Sequence, residues 1–176
     1  MAFGKAFLLS IVVFVGLNFV FTALYYALIV GFDTFMTTIS NAPLMILYFL
    51  FGSAASIPST NLNWAIVQPI VLNNMDFLIF GIGYLVTPII AGILAGRFAE
   101  SKAEGVGAWL LTAAISTVAM IIGIIPDFSA TFVSTLTLFY GLIGFDLTLI
   151  YLIISCIINI IYGGFFTLLV VETEYY

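Results

Sequence analysis

Between Lys5 and Asp33 the chain carries no charged side chain, and the same holds between Asp76 and Arg97, between Glu104 and Asp127, and between Asp146 and Glu172. A helix rises 1.5 Å per residue, so roughly 20 apolar residues cross about 30 Å of hydrocarbon. Four stretches of this chain meet that requirement, at about residues 6–31, 77–98, 107–125 and 147–171. Soluble alternatives fail on composition. Only 6% of the 176 residues are charged while 64% are hydrophobic, against about 25% charged in an ordinary soluble domain. The expected fold class is therefore an all-α integral membrane protein, a polytopic helical bundle forming a single membrane domain over residues 1–176.

The first run begins after Lys5 as a signal peptide does. It is too long for a signal's apolar core, and it contains Asn18, Tyr25 and Tyr26, so the expectation is a retained span.

Two further segments are ambiguous. Residues 41–58 hold a short apolar run followed by Gly52, Ser53, Ala54, Ala55 and Ser56, with Asn41 placed to cap a helix and Pro43 in its first turn. The following residues, 59–74, mix Trp64, Gln68 and Pro69 with Asn61, Asn63, Asn73 and Asn74. Such a piece suits the interface or a protein-lined cavity better than lipid, where every backbone group needs an internal partner. Residues 128–145 are apolar but rich in Ser and Thr. Both segments read as re-entrant, interfacial or short spanning pieces.

Charge placement favours four spans over six. With four, Lys5, Arg97 and Lys102 fall on one side together with both termini, which the positive-inside rule makes cytoplasmic. Glu100, Glu104, Glu172 and Glu174 join them, while Asp33, Asp76, Asp127 and Asp146 share the other side. With six spans, Arg97 and Lys102 would lie opposite Lys5. The four Asp residues bracket the two ambiguous segments, as in a parallel internal repeat. The residues between the brackets do not align, and helix capping and interface chemistry explain the Asp residues better, with Asp76 and Asp146 immediately before helices. Trp64, Trp109, Tyr25, Tyr26, Tyr175 and Tyr176 are expected in aromatic belts at the interfaces.

The residues able to carry specific interactions within the spans are few. Gly92 and Gly96 form a GxxxG on the second long run, a pattern that removes side-chain bulk from one stripe and admits another backbone. Thr87-Pro88 in the same run frees a backbone carbonyl. Ser155, Asn159, Gly163 and Thr167 recur every fourth residue on the last run, and Thr112, Ser116, Ala119 and Gly123, three or four apart, make a similar stripe on the third. Asn18 is the other deep amide. These stripes are expected at helix–helix interfaces, with Asn18 and Asn159 as polar clasps; the alternative is a polar pathway for a small solute. Cys156 reads as a core residue, since no neighbour stabilises a thiolate.

The sequence contains no histidine and a single cysteine, and places no carboxylate or lysine in mid-span. It offers no haem ligand, metal cluster, catalytic triad or phosphate loop. No cofactor, metal or catalytic residue is expected, and three Lys and Arg residues give no basic surface for nucleic acid. In size and hydropathy the chain is similar to the substrate-binding membrane subunits of vitamin importers, which have six short spans. That resemblance implies a transporter or channel for a small solute. The residues themselves favour an accessory subunit of a larger, prokaryotic membrane complex, packing on the lipid bilayer and on larger membrane subunits. An enzyme acting on lipids through Asp76 or Asp127 ranks last, for want of a second acid or base.

Overall fold

The structure, a computed structural model, describes residues 2–124, 141 and 145–171. It is all-α and polytopic, and the described residues form no strand. Four helices are long and apolar enough to cross a membrane. The first, α1 (Ala2–Tyr25), runs on through a π-helical turn to Val30. Gly31, at φ 107°, then breaks it in a conformation that a side chain would strain. A short amphipathic helix follows, α2 (Phe32–Asn41), with Phe35 buried and Asp33 in its first turn. Phe32, Phe35, Met36 and Ile39 carry helical spacing in the sequence, yet the segment falls between the elements expected above.

The next segment turns back on itself. Helix α3 (Met45–Phe51) enters the bundle and ends in a tight turn over Gly52–Ala55, all four residues buried. Ser56 and Ile57 are extended, as the residue before a proline prefers, and Pro58 opens α4 (Pro58–Leu62) in its first turn. A π-helical turn (Asn63–Val67) joins α4 to α5 (Gln68–Val71). The two limbs, Met45–Ala55 and Pro58–Val71, meet at 96°.

The remaining spans are α6 (Leu78–Arg97), α7 (Lys102–Ile124) and α8 (Phe145–Val170). Helix α6 continues through Pro88. Between α6 and α7, Ser101 Oγ accepts the Glu104 N–H (3.2 Å) and Glu104 Oε2 accepts the Glu100 N–H (3.1 Å), a reciprocal cap that satisfies free donors at the helix start.

Helices α6 and α7 are the more enclosed pair, with α1 and α8 on the flanks. Chain direction alternates, so the starts of α1 and α7 and the ends of α6 and α8 share one end of the bundle. Phe3 packs near Gly107, Val171 lies beside Gly105, and Lys5 sits over Phe98. All three cations, Lys5, Arg97 and Lys102, are therefore at that end, with Glu100 and Glu104. Asp33, Asp76 and Asp146 are at the other. Helix α7 finishes and α8 begins at this acidic end. Residues 128–140 and 142–144 of the expected segment, with Asp127, Tyr175 and Tyr176, lie outside the described residues.

Several local expectations are corrected. Asn41 closes α2 instead of capping the next helix; α3 starts at Met45, after Pro43 and without a side-chain cap. Asp76 does not cap α6: Phe77 occupies that position, and the Asp76 N–H is taken by Asn74 Oδ1 (2.9 Å) in a turn that follows left-handed Asn73. Asp146 lies within the first turn of α8, where it favours the helix dipole but closes no cap. Trp64 and Trp109 are not interfacial belts. Both are buried: the Trp109 indole fills the room left by Gly163, and the Trp64 ring stacks on Phe77 at 5.5 Å.

Candidate functional site

The tip of the hairpin, Gly52–Ser56, sits where all four spans meet. A single 3-10 turn running into extended backbone inside a helical bundle leaves donors and acceptors that lipid cannot satisfy. Side chains from the flanking helices satisfy them. Asn18, fully buried on α1, donates from Nδ2 to its own Phe14 carbonyl (2.8 Å) and accepts the Ser53 N–H on Oδ1 (2.9 Å). From α8, Asn159 Nδ2 donates to the carbonyl of Ser56 (2.9 Å) and lies 3.3 Å from that of Ser53. Ser155, one turn earlier on the same face, reaches the Ala55 carbonyl at 3.5 Å. The Ser56 hydroxyl bonds the Asn61 side chain across the bend, which closes the turn onto the outgoing limb.

The glycines act at a second junction, between α6, α7 and α8. A side chain at Gly92 would fall 2.5 Å from the Gly163 carbonyl, and one at Gly96 would strike the Thr167 carbonyl. The backbones of α6 and α8 therefore touch along the GxxxG stripe, and the Thr167 hydroxyl spans them, donating toward the Gly92 (3.0 Å) and Gly163 (2.9 Å) carbonyls. On the other side of Gly163 lies the indole of Trp109, leaving no room for a Cβ. Trp109 Nε1 donates to the Asn159 and Ile160 carbonyls (3.2 and 3.1 Å), and its ring meets Phe14 at 6.1 Å. The Ser116 hydroxyl bonds back to the Thr112 carbonyl (2.7 Å), and Thr112 reaches Ser10 of α1 (3.1 Å).

Asn18, Ser155 and Asn159 thus converge on one turn, Gly92, Gly96 and Gly163 on one helix contact, and Ser116 on neither. The hairpin tip as the common partner, donating to Asn18 and accepting from Ser155 and Asn159, was not expected. The sequence signal for it was the small-residue run Gly52–Ser56 closed by Pro58.

A group of hydroxyls adjoins the tip. Tyr84, on α6, is buried with its hydroxyl against the Cα of Gly52, facing Thr22 and Tyr48. The hydroxyls of Thr22, Ser53, Tyr84 and Thr87 are buried without a hydrogen bond of good geometry among the described residues. No group of His, Cys, Asp and Glu among the described residues has metal-ligand spacing. No protein-family model, curated protein or solved structure matches the chain.

Proposed function

We propose that this protein is a non-catalytic subunit of a larger membrane assembly, and that it offers partner helices the outer face of its hairpin. The observation that carries the reading is the outgoing limb. Leu62, Ile66, Val67, Ile70 and Val71 point outward there, Ile70 being 77% exposed. The limb is helical throughout but widens into a π-helical turn over Asn63–Val67, and Pro69 supplies no N–H, so a backbone carbonyl one turn earlier lacks its helical donor. Irregular backbone at membrane depth is tolerated where protein covers it, and a partner helix against this face would provide that cover. The in-span polar residues support the same reading. Asn18, Ser155 and Asn159 are spent on the chain's own turn, and the Gly92, Gly96 and Gly163 stripe on its own helix contact.

A photo-crosslinking residue at position 70, with a control at Ile161 on the exposed face of α8, tests the proposal in native membranes. A discrete adduct with a larger subunit from position 70 alone is the expected result. Identical, uncrosslinked monomer from both positions overturns it. On the same reading, the end that carries Lys5, Arg97 and Lys102 faces the cytoplasm.

A second reading, passage or binding of a small neutral solute, is favoured by one observation: the buried hydroxyl of Ser53 at the tip, with Tyr84 and Thr22 beside it and Thr87 one turn further along α6. Buried polar groups want partners, and a hydroxyl-bearing solute would supply them. Liposomes containing only this chain should then show flux that Thr87→Val abolishes; leakage equal to that of empty liposomes removes the reading.

A further inference from the structure

The chain has a net charge of −5 and only three cations, yet all three sit at one end of the bundle, and two of them share a groove. Lys5, in the second turn of α1, and Arg97, in the last turn of α6, line an open groove of about 380 Å³ together with Ala2, Phe98, Ala99 and Glu100. Both cations are exposed, and among the described residues neither forms an ion pair. Phe98 forms part of the groove wall, and the Lys5 ammonium stands 4.7 Å from its ring centroid. That contact holds the ammonium over the wall instead of leaving it free to extend into solvent.

Each cation alone has a structural explanation, since a basic side chain near the end of a span snorkels, and Arg97 also complements the C-terminus of α6. Their convergence from two different helices on one groove has none. The ends of α1 and α6 lie where lipid headgroups lie in a bilayer. A phosphate there meets an ammonium and a guanidinium fork, the pair of donors suited to phosphodiester oxygens. Basic pockets between spans recognise anionic headgroups in this way. Acyl chains would continue along the apolar outer surface of α1, where Leu8 and Val12 are each 59% exposed.

We propose that the groove between the start of α1 and the end of α6 binds the phosphate of an anionic lipid headgroup through Lys5 and Arg97.

The full chain, extracted in a neutral detergent free of phosphate, is incubated with micelles containing equal phosphatidylglycerol and phosphatidylcholine, and retained lipid is counted by native mass spectrometry. Preferential retention of phosphatidylglycerol is expected. Lys5→Gln and Arg97→Gln should each lower it about fivefold, the weight of one basic side chain at an anionic surface. Lys102→Gln, outside the groove, should leave it unchanged, and Arg97→Lys should retain part of it. Circular dichroism confirms that each variant is folded; exposed Lys5 gives a readout even where a change at Arg97 perturbs the α6 end. Equal retention of the two lipids, or undiminished retention in the Lys5→Gln variant, overturns the proposal. A melting temperature raised by inorganic phosphate, without preference between the lipids, assigns the groove to free phosphate and overturns the lipid source.

Discussion

Asn18 and Asn159 grip one turn from opposite flanks of the bundle: Asn18 accepts the Ser53 N–H, and Asn159 donates to the Ser56 carbonyl, each at 2.9 Å. Neither amide contacts the other helix directly. The hairpin tip lies between them, so α1 and α8 are joined through a segment that belongs to neither. Each amide replaces a helical hydrogen bond that the turn cannot make for itself.

Removing either amide should therefore destabilise the bundle. Asn159→Leu leaves the Ser56 carbonyl buried and unpaired, and Asn18→Leu does the same to the Ser53 N–H. Each is expected to cost about 1–3 kcal/mol, the usual cost of an orphaned buried group. Because both act on the same turn, the double variant should lose less than the sum of the two. Denaturation in mild detergent followed by circular dichroism measures all three. Strictly additive losses would show that the two clasps act independently.

The glycine contacts give a graded series. A Cβ at Gly163 meets the Trp109 indole and one at Gly92 meets the Gly163 carbonyl at 2.5 Å, whereas Gly16 has nothing within 4 Å. Gly163→Ala and Gly92→Ala should each lower stability by about 1–3 kcal/mol through overpacking. Gly16→Ala should be neutral or raise stability by about 0.5–1 kcal/mol, because alanine restricts the unfolded chain. The same melts report the order; a destabilised Gly16→Ala would show that this face of α1 is covered.

The four spans were legible because uncharged runs of that length have few alternatives, and the sorting of Lys5, Arg97 and Lys102 from the Asp residues followed from them. The small-residue stripes were legible as packing surfaces, although not their partners: helical periodicity says which residues share a face and nothing about what meets it. The hairpin was half legible. Gly52–Ser56 and Pro58 mark a break, but the depth of the tip depends on Asn18 and Asn159, which are remote in sequence. Trp109 misled because a tryptophan near the start of a span resembles an interfacial anchor, and only the missing side chain of Gly163, on another helix, makes room for it inside. The cap formed by Ser101 and Glu104 was present as an S-x-x-E signature and went unread.

The arrangement of ends predicts labelling. In a Cys156→Ser background, a cysteine at Ser101 lies with the cations, and one at Thr37 lies on α2 at the acidic end. A membrane-impermeant maleimide applied to intact cells should modify one of the two and reach the other only after the membrane is opened; on the orientation proposed above, Thr37→Cys is the one modified first. Modification of both from the same side would contradict the alternation of α1, α6, α7 and α8.

Tyr84 and Gly52 provide the sharpest test of how the tip is seated. The tyrosine hydroxyl occupies the space that a side chain at position 52 would need. Gly52→Ala should therefore destabilise by about 1–3 kcal/mol. The hydroxyl faces those of Thr22 and Tyr48 without a close hydrogen bond, so Tyr84→Phe gives up only those weak polar contacts. On the packing reading it should change stability by less than about 1 kcal/mol or raise it. Combined, the two substitutions should compensate, because the phenylalanine withdraws the atom that the new methyl group strikes, leaving Cζ at 2.9 Å as the remaining close neighbour. Partial rescue of Gly52→Ala by Tyr84→Phe is the expected outcome of the double-mutant melt. A large loss from Tyr84→Phe alone would mean that the hydroxyl holds a bound partner, and would move the balance toward the solute reading.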